Sequence, residues 1–300
     1  MDSIHVEYPT KNIFLCGGPY DPSHKTISSM RGAFYSCCHQ EPFSNYDIVL
    51  AEDISREFQA RQGTYDNLLS LESDLAQLSS ITLLFSESFG SAAELGAFCW
   101  DKDISNRLLV VISDYYYAED SFVKLGPLQH LKKLCGDTSV CVVPEDISDR
   151  NNLGSEDKKY VNSLFFYVND AFSNRIKIIK PKTTLNRHYQ GHLILFLVGV
   201  LWYYYALEKD ELHYIALEVG FNVNSDDIEK GMFCATQFNW ISIKNIGFRC
   251  FYVNKSEKNP LSFNRKDRSF SLRDWKFNMR DFWEKSDRQR FDAFKEARKK

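Results

Sequence analysis

The residues able to do chemistry fall in two short windows. Ser86-Glu-Ser-Phe-Gly-Ser-Ala-Ala-Glu94 holds two carboxylates with serines between them, and Cys16-Gly17-Gly18 is a small-residue turn. A fixed glutamate is what cleavage of a glycosidic bond requires. The sugar C1′ gains oxocarbenium character, and a carboxylate can stabilise it or attack it to form a covalent glycosyl-enzyme. Glu94 is the candidate for that role. A second acid would hold sugar hydroxyls or protonate the departing group, and Glu87, Glu52 and Asp53 are the candidates. Cys16, Gly17 and Gly18 supply backbone N–H groups that can approach a ligand closely, and Ser88 and Ser91 supply hydroxyls. Ser91-Ala-Ala-Glu94 also fits the S-x-x-E capping box, in which the glutamate only satisfies free N–H groups at a helix start. Both readings place Glu94 in a first helical turn, where the macrodipole favours its ionised form.

These residues need a strand and a helix to hold them. Ile81–Phe85 is an apolar, β-favouring run, and Ala92 onward is rich in helix formers. A strand passing through a Gly/Ser turn into a helix builds ligand sites outside the carboxyl end of the strand in open α/β sheets. Four further apolar runs, 12–15, 46–50, 107–112 and 139–143, read as strands. Helices are expected at 25–39, at 65–79 with Leu68, Leu69, Leu71, Leu75 and Leu78 on its apolar face, and at 122–134, interrupted by Gly126-Pro127. Five such strands alternating with helices predict an α/β, doubly wound, five-stranded parallel sheet of Rossmann-like type. The acidic or small polar groups after its first four strands would share one rim.

The polar stretch 144–154 sets a boundary, giving a catalytic domain at 1–145 and a linker with a connecting helix at 146–181. Residues 182–254 predict helices at 187–207, 211–219 and 225–238, then a hairpin from 240–243 and 248–253. Three helices and a hairpin fit a winged helix-turn-helix, and fit a plain helical domain equally well. The tail, 255–300, carries 15 Lys/Arg against 8 Asp/Glu; its +7 leaves −10 for the rest of a chain of net −3. Phe263, Phe270, Trp275, Phe277, Phe282, Trp283, Phe291 and Phe294 interleave with these bases. That pattern suits nucleic-acid stacking or docking onto a nucleoprotein, while composition alone favours a helix packing its aromatics on its own domain.

Hydrophobic content of 44% and charged content of 26% are ordinary for a globular chain. No basic-then-apolar leader is evident, and the longest apolar run, 193–207, is too short to cross a bilayer. The eight cysteines show no paired C-x-x-C spacing and read as reduced thiols of a cytoplasmic protein. His188 and His192 stand four apart with no third ligand, so no metal and no cofactor is expected.

Ile13-Phe-Leu-Cys-Gly-Gly18, Glu52-Asp53, Leu69-Ser-Leu-Glu72 and Phe85-Ser-Glu-Ser-Phe-Gly-Ser-Ala-Ala-Glu-Leu-Gly-Ala-Phe98 together resemble the nucleoside 2-deoxyribosyltransferase-like effectors encoded in retrons. The similarity covers roughly residues 12–143. It implies that Glu94 is the nucleophile and that the substrate is a nucleoside, a nucleotide or NAD. The aspartate-rich loop of those enzymes is shortened here to Glu87-Ser-Phe-Gly-Ser91, which implies hydrolysis in place of transfer. The resemblance also implies a toxin of anti-phage defence, restrained by a retron reverse transcriptase and its multicopy single-stranded DNA (msDNA). Two alternatives accompany it: a non-catalytic DNA-binding or scaffold subunit, and a TIR-like NAD hydrolase. Oligomeric state is left open.

Overall fold

The computed structural model describes residues 3–21, 27–54, 64–148, 158–264 and 271–298. Contacts divide the chain into two units: a sheet unit, residues 11–53 and 79–180, and a helical unit, residues 1–10, 54–78 and 181–300. The chain opens in the helical unit with β1 (Ser3–Glu7). The sheet unit follows with β2 (Asn12–Cys16), α1 (Met30–Cys37) and β3 (Asp47–Leu50). Next comes α2 (Leu68–Leu78), whose contacts are with the helical unit. The sheet unit then resumes with β4 (Ile81–Phe85), α3 (Phe89–Trp100), β5 (Leu108–Ser113), α4 (Gln129–Cys135), β6 (Val140–Val143) and α5 (Lys158–Ile176). A boundary drawn once along the chain cannot express this interleaving.

The five strands of the sheet unit form one parallel sheet in the order β3-β2-β4-β5-β6. The expected doubly wound α/β fold is therefore present, with strand ends moved by at most one residue. Every residue of β2, β4 and β5 is buried, which is why their sequences are continuous apolar runs without alternation. Phe34, Phe43, Phe85 and Phe172 are among the side chains that fill the core on one face. Each such side chain contributes about 1.5–3 kcal/mol by leaving water. The helix α5 lays Leu164, Val168 and Phe172 onto this core at a spacing of four, so the expected connecting helix packs as part of the sheet unit. Its last turn carries the buried Arg175, which donates to the carbonyls of Ser105, Asn106, Leu108 and Cys135.

Three expected helices differ in detail. The one at 122–134 runs as a π-helical turn over Lys124–Leu128, with Pro127 inside it, before α4 begins. α1 begins at Met30 because Ser29 caps it, accepting from the Gly32 N–H at 2.8 Å; Lys25 lies outside the described residues. In α2, Leu71, Leu75 and Leu78 are buried, but Leu68 and Leu69 are exposed. Leu69 lies two residues, about 200°, round the helix from Leu71, and Leu68 only opens the first turn.

The helical unit continues with β7 (Lys182–Thr184), α6 (Gln190–Tyr204), β8 (Ala206–Leu207), α7 (Lys209–Val219) and α8 (Ser225–Gln237). It ends with β9 (Ile241–Ile246), β10 (Arg249–Asn254), β11 (Leu261–Asn264), α9 (Leu272–Ser286) and α10 (Arg288–Arg298). α6 is apolar on all sides and buried from Leu193 to Leu201, as a central helix must be. It stops before the expected Leu207. Tyr205 turns to φ +66°, and Ala206–Leu207 pairs antiparallel with β10 instead. β10 also pairs with β9, so the sheet order is β8-β10-β9, while β1 sits between β11 and β7 in a second small sheet.

Four of the tail's eight aromatics, Trp275, Trp283, Phe291 and Phe294, pack on their own unit. Phe291 and Phe294 are buried with Tyr205, Phe251 and Val253, and Trp275 packs against that cluster. The indole N–H of Trp283 donates to the Tyr204 carbonyl at 2.9 Å. Phe277 and Phe282 are exposed, Phe263 lies in β11, and Phe270 is outside the described residues. The buried Arg290 ties α10 down through Asp287, Glu211 and the Ala206 carbonyl. All eight cysteines are free thiols. His188 precedes α6, and the Nδ1 of His192 accepts from the Asn186 N–H, so the two histidines do not share a helical face. Among the described residues no His/Cys/Asp/Glu group could hold a metal, and no helix is long and apolar enough to cross a membrane.

Candidate active site

Strand order decides where a ligand can sit. From β2 the chain goes outward to β3, then crosses back to lay β4 on the other side of β2. The switch point is therefore the gap between β2 and β4, and doubly wound sheets open a crevice outside the carboxyl ends of the strands there. Gly17-Gly18 follows β2 at this edge and Ser86-Glu87 follows β4. The two windows singled out by chemistry thus meet at one place.

Glu87 makes the central bonds of this edge. Its carboxylate accepts from the N–H groups of Gly18 at 3.1 Å, Met30 at 2.7 Å and Arg31 at 3.0 Å. It thereby closes the loop after β2 onto the first turn of α1. Gly18 admits this carboxylate, and Gly17 admits the end of β4. A Cβ on Gly18 would lie 2.8 Å from Glu87 Oε1, and one on Gly17, at φ +148°, would lie 2.8 Å from the Phe85 Cβ. The close approach expected of a ligand is made by the protein's own side chain.

The start of α3 also differs from expectation. Its N-cap is Ser88, whose hydroxyl accepts from the Ser91 N–H at 3.1 Å, while Ser91 Oγ accepts from the Ser88 and Glu87 N–H groups at 2.9 and 3.0 Å. Ser88 and Ser91 form the capping box between themselves. Glu94 stands six residues past the cap, in the second turn, so it caps nothing and lies beyond the strongest part of the macrodipole. Its Oε2 is buried with no hydrogen-bond partner. Burial pushes the Glu94 carboxyl up from its ordinary 4.5 to about 7; Arg31 pulls it back and Glu52 adds to the rise. The expectation that the helix would hold Glu94 firmly ionised is corrected: desolvation outweighs the dipole.

Arg31 is a residue the sequence did not single out. Its side chain is 1% exposed, and both Nη atoms grip Glu52, with Nη1 to Oε2 at 2.7 Å. Its guanidinium also stands over the Tyr20 ring, 5.3 Å from the centroid. The one signal available was that Arg31 is the sole charged residue of α1. Asp114 is one of the polar groups expected on the rim after the fourth strand, but the sequence assigned it no role of its own. It follows β5 on the same rim, and its Oδ1 is buried without a hydrogen-bond partner. Tyr160, from α5, has its hydroxyl pushed up by burial and then by Glu87. Cys16 is wholly buried in β2, and Asp53 is exposed, acting electrostatically on the Tyr35 hydroxyl.

The sequence matches the model of the STM3845 retron effector protein family over residues 27–243. This chain belongs to that family. The retron effector is also 35% identical over 121 residues to a protein of retron Ec86 in Escherichia coli, named as a candidate ribosyltransferase and DNA-binding protein. It is 29% identical over 120 residues to the protein of the same description from retron Ec73. Each match covers 40% of this chain and 37% of the relative.

Proposed function

We propose that this retron effector is an N-glycosidase acting on nucleosides, nucleotides or NAD, with Glu94 as nucleophile. The observation that carries the reading is the largely buried Glu94 carboxyl, whose Oε2 has no hydrogen-bond partner, in the α/β sheet unit and under the joint electrostatic influence of Arg31 and Glu52. Glu94 attacks C1′, a C1′–O bond forms, the C1′–N bond breaks, and the base leaves with the bonding electron pair. Water then displaces Glu94 from C1′ and loses a proton. Arg31 favours the ionised, attacking form of Glu94 and holds Glu52 on the rim, where Glu52 is the candidate to receive sugar hydroxyls. Asp114 is the candidate to protonate the departing base. With Glu87 and Glu52 held by their present partners, Asp114 suits that task better than either. The ribosyltransferase wording attached to the Ec86 and Ec73 proteins supports the same bond as the target.

The setting we infer is a toxin of anti-phage defence, restrained by the retron reverse transcriptase and its msDNA. The order α6-β8-α7-α8-β9-β10, with β8 paired to β10, supports a winged helix-turn-helix reading of the helical unit. Residues 208–237, which include both helices of the turn, carry seven acidic against two basic residues and so repel a phosphate backbone. Nucleic-acid contact is better served by α9, where exposed Arg273, Phe277 and Arg280 lie at i, i+4 and i+7 on one face.

The test is to express the wild type and Glu94→Gln without the reverse transcriptase and msDNA, and to profile metabolites. The reading predicts loss of a nucleoside, nucleotide or NAD pool with the wild type alone. Equal toxicity with unchanged pools in both would refute it.

A further inference from the structure

In an open α/β sheet, the turn after the first strand and the helix that follows it form the usual seat for a substrate phosphate, because free N–H groups and the helix dipole converge there. In this effector every N–H of that first turn is already committed. Met30 and Arg31 donate to Glu87, Gly32 to the Ser29 hydroxyl, and Ala33 to the Ser29 carbonyl. The Gly18 N–H donates to Glu87 as well. The seat holds an anion, and the anion is a side chain of the protein. No Cβ could stand on Gly18 without striking that carboxylate, so the turn is shaped around Glu87 itself.

We infer that Glu87 is a specificity-determining residue: an internal carboxylate that fills the phosphate seat at the N-terminus of α1 and excludes substrates that present a phosphate there. The inference deepens the N-glycosidase reading, on which it rests for the identity of the crevice's occupant. The sugar-bearing substrate presents an uncharged portion to this seat, and any phosphate it carries lies elsewhere. Glu87 is then a positioning and selecting group, and the acid roles fall to other residues.

The test uses the purified full chain and inorganic phosphate, with Glu87→Ala and Glu87→Gln as variants. Calorimetry measures phosphate affinity, and amide NMR follows the N–H resonances of Gly18, Met30 and Arg31. Removing the carboxylate frees three donors and one negative charge, so phosphate should bind Glu87→Ala at least about tenfold tighter than the wild type. The three amides should move with phosphate in the variant and stay still in the wild type. If Glu87→Ala does not fold, Glu87→Gln, which removes the charge but keeps one acceptor in the seat, should show a smaller gain in phosphate affinity with movement of the same amides. Phosphate binding that is equal in wild type and variant, or absent from both, would overturn the inference. Because phosphate binding is read without any glycosidase assay, failure here is distinct from failure of the proposed reaction.

Discussion

Replacing Glu94 with glutamine should stabilise this protein, and increasingly so as the pH rises from about 4.5 to about 7. The Glu94 carboxyl moves from its ordinary 4.5 to about 7 on folding, chiefly because burial disfavours its charge. At about 1.36 kcal/mol per pH unit, that displacement is worth up to about 3 kcal/mol. The sign follows from proton counts. Between about pH 4.5 and 7 the unfolded chain has lost the Glu94 proton and the folded chain keeps it, so stability falls as pH rises. Below that window the group contributes nothing, and above it the full penalty is present. Glutamine has no charge to bury, so its advantage over glutamate should grow from near zero at about pH 4 to about 2–3 kcal/mol at about pH 8. Urea unfolding of both proteins across this range measures the difference, and any packing offset that does not depend on pH cancels from the slope. A constant difference would refute the burial argument, as would one that shrinks with rising pH.

Other outcomes follow from the same contacts. Arg31→Met removes the cation that pulls the Glu94 carboxyl down, so the acidic limb of the kcat/KM profile should move up by about one pH unit. Loss of activity without a change in pH profile would assign Arg31 a structural role only. Gly18→Ala drives a methyl against Glu87 and should cost about 1–3 kcal/mol in urea unfolding, whereas Gly96→Ala, where the added Cβ meets nothing within 4 Å, should not. Arg273→Glu and Arg280→Glu should each weaken single-stranded DNA binding and lower the salt slope by about 1. Asp226→Lys, on α8, should not weaken it; equal effects from both faces would contradict the placement on α9.

The sheet was legible because its strands are buried on both faces. Ile81–Phe85 and the runs at 12–15 and 107–112 needed no alternation to be recognised, and their spacing left room for crossovers. Glu94 was legible as a candidate from the turn before it. What sequence could not supply was which carboxylate would be used up in holding the loops. Ser91-Ala-Ala-Glu94 has the spelling of a capping box, but Ser88 captured the helix start one turn earlier and freed Glu94. Glu87 has the same spelling as a substrate ligand, yet three backbone N–H groups claim it, two of them 56 and 57 residues earlier in the chain. Arg31 was hidden because an arginine in a short helix gives no hint that it will be buried. The allegiance of α2 was hidden too, since an amphipathic helix between two strands does not say which apolar surface its stripe will meet.

The most direct test of the account is base release by the purified protein. Nucleosides, nucleotides and NAD are incubated with wild type and with Glu94→Gln, and free base is quantified by chromatography. The account predicts release from at least one of these substrates by the wild type, a loss of about 10³-fold or more in the variant, and a glycosyl adduct on the peptide bearing Glu94 when turnover is trapped. Release at equal rates from both proteins would contradict it, whatever the substrate.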